Sequence, residues 1–172
     1  MTIYLIGYMG SGKSTLGRQL AKKMDYNFLD FDEFLEEKEG KKIAQIFKDQ
    51  GEIYFRKKES QYLKELLSNT HEAIISLGGG TPCYGNNMQL IKQAKGKSVY
   101  INVPVAELVS RLWSQREHRP VLNHQDSSEK LEDFVRKHLF ERSFYYNQAD
   151  FKILADGRSE LELVNEMQAR LF

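Results

Sequence analysis

Residues 7–14 read Gly7-Tyr8-Met9-Gly10-Ser11-Gly12-Lys13-Ser14, a G-x-x-x-x-G-K-S string that starts where the apolar run Ile3–Ile6 ends and a helical pattern begins. This spelling describes a phosphate-binding loop. Glycines let successive backbone N–H groups turn toward one anion, Lys13 reaches the outer phosphates, and the Ser14 hydroxyl can ligate Mg²⁺. The helix that follows presents its positive N-terminal end to the same phosphates. A plain glycine turn with a surface lysine is the bland alternative, and the position between strand and helix argues against it.

Around this loop, short apolar runs alternate with amphipathic stretches: Ile3–Ile6 then Leu16–Met24, Phe28–Leu29 then Phe34–Phe47, Ala73–Leu77 then Met88–Ala94, Val99–Val103 then Leu108–Trp113, Phe151–Leu154 then Leu161–Phe172. Five strands each followed by helix predict a five-stranded parallel sheet in an α/β fold with helices on both faces. Such sheets bind ligands beyond the carboxyl ends of their strands. Gly7, the Asp30/Asp32 pair, Gly78 and the segment after Leu154 all fall there.

The length of 172 residues fits one domain, and a 41% hydrophobic content supplies a core. Charged residues nearly cancel to a net +1, so no overall basic field gathers nucleic acid. The one cysteine, Cys83, excludes an intramolecular disulfide and fits a reducing compartment. His71, His118, His124 and His138 show no metal-ligand spacing with it. No stretch approaches the ~18 apolar residues of a membrane span, and the opening M-T-I-Y-L-I-G lacks a signal-peptide pattern, so the expectation is a cytoplasmic protein without membrane contact.

Further features carry chemistry. In Phe28-Leu29-Asp30-Phe31-Asp32, alternate residues of a strand share a face, so both carboxylates can point toward the phosphate site. One could serve Mg²⁺ or its water shell while the other orients or deprotonates an attacking hydroxyl. Alternatively, Asp32 is the N-cap of a helix starting at Glu33. Arg56, within Gly51–Glu59 of a long polar helix, could fork onto a carboxylate or simply belong to a solvated charged face. The run Ser76-Leu77-Gly78-Gly79-Gly80-Thr81-Pro82 places three glycines directly after a strand, more than a simple turn requires, so either something approaches that backbone closely or the run is a flexible strand-to-helix turn. Ser76 stands where many nucleotide hydrolases carry an aspartate, which shifts the metal-side role to Asp30 or Asp32. The polar stretch Ser114–Asp126, before a helix capped near Ser127 or Ser128, suggests either a flap whose arginine meets the phosphoryl group on closure or an ordinary surface loop with exposed arginines.

The ordered set resembles the shikimate kinase family over nearly the whole chain: G-x-x-G-S-G-K-S-T at Gly7–Thr15, L-D-x-D at Asp30 and Asp32, G-E-x-x-F-R-x-x-E at Gly51–Glu59, S-L-G-G-G at Ser76–Gly80, R-P-x-L at Arg119–Leu122, and E-R-x-x-x-Y at Glu141–Tyr146. The resemblance implies ATP-dependent phosphorylation of shikimate at its 3-hydroxyl, on the route to chorismate and aromatic amino acids. It also implies a P-loop NTPase three-layer sandwich like that of the nucleoside-monophosphate kinases. On that basis residues 1–172 form one kinase domain with a substrate-binding insertion at about 32–62 and a lid at about 113–127.

Carried over residue by residue, the family implies catalytic roles for Asp32, Lys13 and Arg119. Nucleotide binding falls to Gly10, Ser11, Gly12, Lys13, Ser14, Thr15, Arg111 and Arg119, with Arg111 against the adenine. Shikimate binding falls to Asp32, Arg56, Gly78, Gly79, Gly80 and Arg142, the two arginines pairing with its carboxylate. Ser14 and Asp30, directly or through water, would serve Mg²⁺, with ATP as co-substrate. The family is usually monomeric. Two departures stand out: the lid reads R-P-V-L where R-P-L-L is common, and Thr81-Pro82-Cys83 follows the glycines where small apolar residues are frequent. Neither is expected to touch a residue with an assigned role. A gluconate kinase, or a nucleotide-dependent binding module without turnover, are the competing readings.

Overall fold

Five apolar runs form β1 (Thr2–Ile6), β2 (Asn27–Asp30), β3 (Ala73–Ser76), β4 (Gly96–Asn102) and β5 (Phe151–Leu154), all parallel in the order β2-β3-β1-β4-β5. The computed structural model describes residues 1–172, with the side chains of His118 and Pro120 outside the described residues. The helices are α1 (Lys13–Met24), α2 (Phe31–Glu39), α3 (Ile43–Asn69), α4 (Asn87–Gln93), α5 (Val105–Gln115), α6 (Ser128–Tyr146) and α7 (Glu160–Leu171). This is the expected five-stranded parallel α/β architecture.

Topology sets the position of the site. The β1-to-β2 crossover runs in one direction along the sheet, and the crossovers from β3 and β4 run in the other. Right-handed connections therefore place α1 on one face and the helices that follow β3 and β4 on the opposite face. A crevice opens at the carboxyl end of β1, between its neighbours β3 and β4. The central strands β1 and β3 are buried along their length because both faces are covered. Ile3, Leu5, Ile6, Ile74, Ile75, Val99 and Ile101 are fully buried, each contributing about 1.5–3 kcal/mol of transfer free energy.

Local chemistry also moves some boundaries. The amphipathic stretch Phe34–Phe47 is not one helix. Gly40 takes a left-handed conformation (φ 64°) and its N–H donates to the carbonyls of Glu36 and Glu37, which ends α2. The Glu36 carboxylate then accepts from the Ile43 N–H at 3.0 Å and satisfies an open donor at the start of α3. A second glycine, Gly51 (φ 83°, ψ 174°), kinks α3. The irregular segment expected from Trp113 starts later, since nothing breaks α5 before Gln115. It then makes short 3₁₀ turns at Arg116–His118 and Pro120–Leu122, and Leu122 is fully buried. Ser127 caps α6, its hydroxyl accepting from the Lys130 N–H at 3.2 Å.

Candidate active site

The loop after β1 wraps a cleft of about 660 Å³. Gly10 (φ 77°) and Gly12 (φ 87°) take backbone conformations that L side chains rarely adopt, and Gly12 delivers the chain into α1 with no side chain capping the helix. The N-terminal end of α1 therefore faces the cleft with its amides open to an anion. Gly10, Ser11, Gly12, Lys13, Ser14, Thr15, Asp30, Asp32, Gly78, Gly79, Arg111 and Arg119 all line this space. Lys13 is buried, and its ammonium donates to the carbonyls of Gly7 (2.9 Å) and Tyr8 (3.0 Å). Burial pulls its pKa down to about 8, opposed by the charges of Asp32 and Asp30.

The strand register explains the two aspartates. Asp30 lies beside Ser76 across the β2–β3 pair, and the Ser14 hydroxyl donates to Asp30 Oδ2 at 2.6 Å while lying 3.1 Å from the Ser76 hydroxyl. Asp30 thus occupies the ground that a carboxylate at Ser76 would have filled. It is also Asp30, not Asp32, that caps a helix: its Oδ1 accepts from the N–H groups of Asp32 and Glu33, and α2 begins at Phe31. Asp32 is left with its carboxylate in the cleft. Burial pushes that carboxyl up to about 6, the Asp30 charge adds to the rise and Lys13 opposes it.

The three glycines are explained by the protein's own side chains. A Cβ on Gly78 would fall 2.6 Å from Asp32 Oδ1, one on Gly79 3.2 Å from Arg142 Nη1, and one on Gly80 2.9 Å from Arg56 Nη2. A carboxylate from α2, a guanidinium from α6 and a guanidinium from α3 therefore converge on successive peptide units. Gly80, Arg56 and Arg142 flank this ridge rather than line the main cleft. Arg56 is paired with buried Glu59 at 2.8 Å and stacks 3.7 Å from the Tyr84 ring centroid, whereas Arg142 makes no ion pair among the described residues. The Tyr146 hydroxyl, one turn beyond Arg142, donates to the Gly79 carbonyl at 2.6 Å and ties α6 to the ridge.

Several participants escaped the sequence reading. Glu59 receives the Thr81 hydroxyl at 2.7 Å as well as Arg56, and the Thr81 and Cys83 N–H groups donate to the Gly78 and Gly80 carbonyls at 3.1 and 2.9 Å, so the Thr81-Pro82-Cys83 departure does touch residues with an expected role. The i, i+3 spacing of Arg56 and Glu59 was the available signal; Thr81, 22 positions away, gave none. Arg111 donates to the Gly10 carbonyl at 3.0 Å and pairs with Glu107, which also accepts from the Gly157 N–H at 3.3 Å. Arg158 and Glu160, from the segment after β5, line the same cleft. Arg119 reaches the cleft from the 3₁₀ segment, with Nε and Nη2 donating to Gln115 Oε1 at 3.3 and 3.0 Å.

A family model described as "Shikimate kinase" matches residues 9–172. A shikimate kinase of Flavobacterium psychrophilum is 41% identical over 99% of this chain and 98% of its own length. The crystal structure of a shikimate kinase from Bacteroides thetaiotaomicron superposes with a TM-score of 0.90 at 34% identity, covering 99% of this chain and 98% of the other. A shikimate kinase from Acinetobacter baumannii, solved in complex with shikimate, gives 0.86 at 33% identity, over 98% and 91%. With a phosphate loop, a cleft carboxylate and two arginines gathered on one ridge, and with these matches spanning nearly every residue, the chain belongs to the shikimate kinase family.

Proposed function

We propose that the protein transfers the γ-phosphoryl group of ATP to the 3-hydroxyl of shikimate, giving shikimate 3-phosphate and ADP on the route to aromatic amino acids. The observation that carries this reading is the convergence of Asp32, Arg56 and Arg142 on Gly78–Gly80 next to the phosphate loop. An acceptor bearing a carboxylate and hydroxyls suits that set: Arg142 and Arg56 grip the carboxylate, and Asp32 takes the reacting hydroxyl. A neutral sugar would leave the Arg142 charge unmatched in a closing site. The shikimate complex of the Acinetobacter baumannii relative supports the same acceptor.

The proposed roles follow from the loose, charge-spread transition state of phosphoryl transfer, for which positioning and neutralisation supply most of the catalysis. Amides of Gly10–Thr15 and the start of α1 hold the phosphates, Lys13 reaches the β- and γ-oxygens, and Arg119 meets the phosphoryl group from the lid. Arg111 takes the adenine. Asp32 orients the 3-hydroxyl in line and accepts its proton late, when the oxygen has become acidic. Ser14 and Asp30 offer the hard oxygens that Mg²⁺ takes. These two residues would hold Mg²⁺ directly or through water, and the ion would offset phosphate charge. We read residues 1–172 as one kinase domain with the substrate-binding insertion at about 32–62 and the lid at about 113–127. We also read it as a cytoplasmic monomer, since one chain supplies every group of the proposed site and the net charge of +1 offers nothing to nucleic acid; among the described residues no helix is long and apolar enough to cross a membrane.

Coupled ADP release tests the reading directly. ATP and Mg²⁺ should give rapid ADP formation only when shikimate is added; equal turnover with gluconate, or none with either acceptor, would overturn it. The glycine ridge makes a sharper prediction. Gly80→Ala displaces Arg56 and should raise the shikimate KM by about tenfold, or about 1.4 kcal/mol, with a smaller change in kcat. Gly78→Ala crowds Asp32 and should chiefly lower kcat. Steady-state kinetics of the two variants check the split.

A further inference from the structure

Tyr8 belongs to the phosphate loop by sequence, yet its side chain points away from the phosphates. The ring is buried, and its hydroxyl shares a 3.0 Å hydrogen bond with His138 Nδ1 on α6. The two rings meet edge to face at 5.5 Å, and Phe134 packs on the same imidazole at 5.2 Å. Arg142 lies one helical turn beyond His138, and its guanidinium carbon sits 5.7 Å from the Tyr8 ring centroid. On the other side, the Tyr8 carbonyl accepts from Lys13. One residue thus touches the phosphate-loop lysine through its backbone and the carboxylate-binding helix through its side chain.

We propose that Tyr8 and His138 are positioning residues for Arg142: their hydrogen bond fixes the ring against which the Arg142 guanidinium rests, and so sets the pose of the arginine for the acceptor carboxylate. This deepens the shikimate reading and rests on it. A buried hydroxyl needs a partner, and here the partner stands on the helix that carries a proposed substrate-binding arginine. Both groups stay uncharged near neutral pH, since burial holds the Tyr8 hydroxyl above its usual range and burial, with Arg142, holds His138 down to about 4. The bond is therefore present under the conditions of turnover.

A phosphate-loop side chain that acts on the acceptor gives an unusual kinetic signature. Tyr8→Phe, which keeps the ring and removes the hydroxyl, should raise the shikimate KM by about three- to tenfold, as expected for one lost hydrogen bond, and leave the ATP KM within about twofold. His138→Leu should match it, and the double variant should be no worse than either single. His138→Asn, whose amide stands near the Nδ1 position, should restore a KM close to wild type. A purely packing role predicts additive losses, parallel changes in both KM values and no rescue by asparagine; any of these would overturn the proposal, as would an unchanged shikimate KM in Tyr8→Phe. The His138→Asn and His138→Leu pair decides the matter even if Tyr8→Phe folds poorly. A second readout needs no acceptor. The Arg142 Nε–H resonance, shifted by the Tyr8 ring, should move in His138→Leu and return in His138→Asn; an unmoved signal refutes the link. Absence of shikimate turnover by the wild type would instead refute the acceptor assignment, leaving the resonance to judge the link.

Discussion

Replacing Asp32 by asparagine should lower kcat by about 10²–10⁴-fold while ATP affinity stays within a few-fold, because the amide keeps the shape and loses the proton acceptor. The same variant should become more stable at pH 7.5. The native state holds the Asp32 proton up to about pH 6 and the unfolded chain only to about 3.8. The native state therefore binds more protons across that window and loses stability as pH rises through it. Asparagine escapes that loss, and a rise in the thermal midpoint of about 2–4 °C is expected, the shift that roughly 1 kcal/mol produces in a chain of this size. A helix-capping residue would not show that combination, and the cap is Asp30. For the wild type, kcat/KM for shikimate should fall about tenfold per pH unit below about 6, as the base becomes protonated. Retention of more than about a tenth of the wild-type rate in Asp32→Asn would remove it from the role of base.

Arg119→Ala is expected to slow the chemical step by about 10²–10³-fold, the loss typical of one donor aimed at developing charge, with a smaller change in shikimate KM. Arg56→Ala and Arg142→Ala should do the opposite, because each removes a contact to a carboxylate present throughout the reaction. Arg119 is near enough to Lys13 for its charge to help depress the lysine pKa, yet it rests on Gln115 rather than on a carboxylate. Its guanidinium is thus held lightly at the cleft. Product release can limit kcat and mask a chemical defect, so single-turnover phosphorylation at saturating shikimate is the informative measurement. An unchanged chemical step in Arg119→Ala would leave this residue a binding group only.

The parts of this design written in local sequence were readable, and those written across the chain were not. Phosphate loop, strand alternation and triple glycine are each contiguous, and each implies its geometry through backbone freedom or periodicity. The glycine run even offered a close approach as one reading, though not that the approaching atoms are Asp32, Arg142 and Arg56. The break at Gly40 was hidden because apolar spacing continues from α2 into α3, and only the left-handed glycine interrupts it. The Thr81–Glu59–Arg56 relay and the Tyr8–His138 bond, whose partners are 130 positions apart, exist only after the sheet brings its loops to one end. Local sequence offered Asp32 as the helix cap, and only the register, which puts Asp30 beside Ser76, gives the cap to Asp30 and leaves the Asp32 carboxylate in the cleft.

Phosphorus NMR of the protein with ATP, Mg²⁺ and shikimate tests the central claim most directly. One new phosphomonoester signal should grow in step with ADP and couple to the proton on carbon 3 of the acceptor. ADP accompanied only by inorganic phosphate, or an ester at another hydroxyl, would contradict the account.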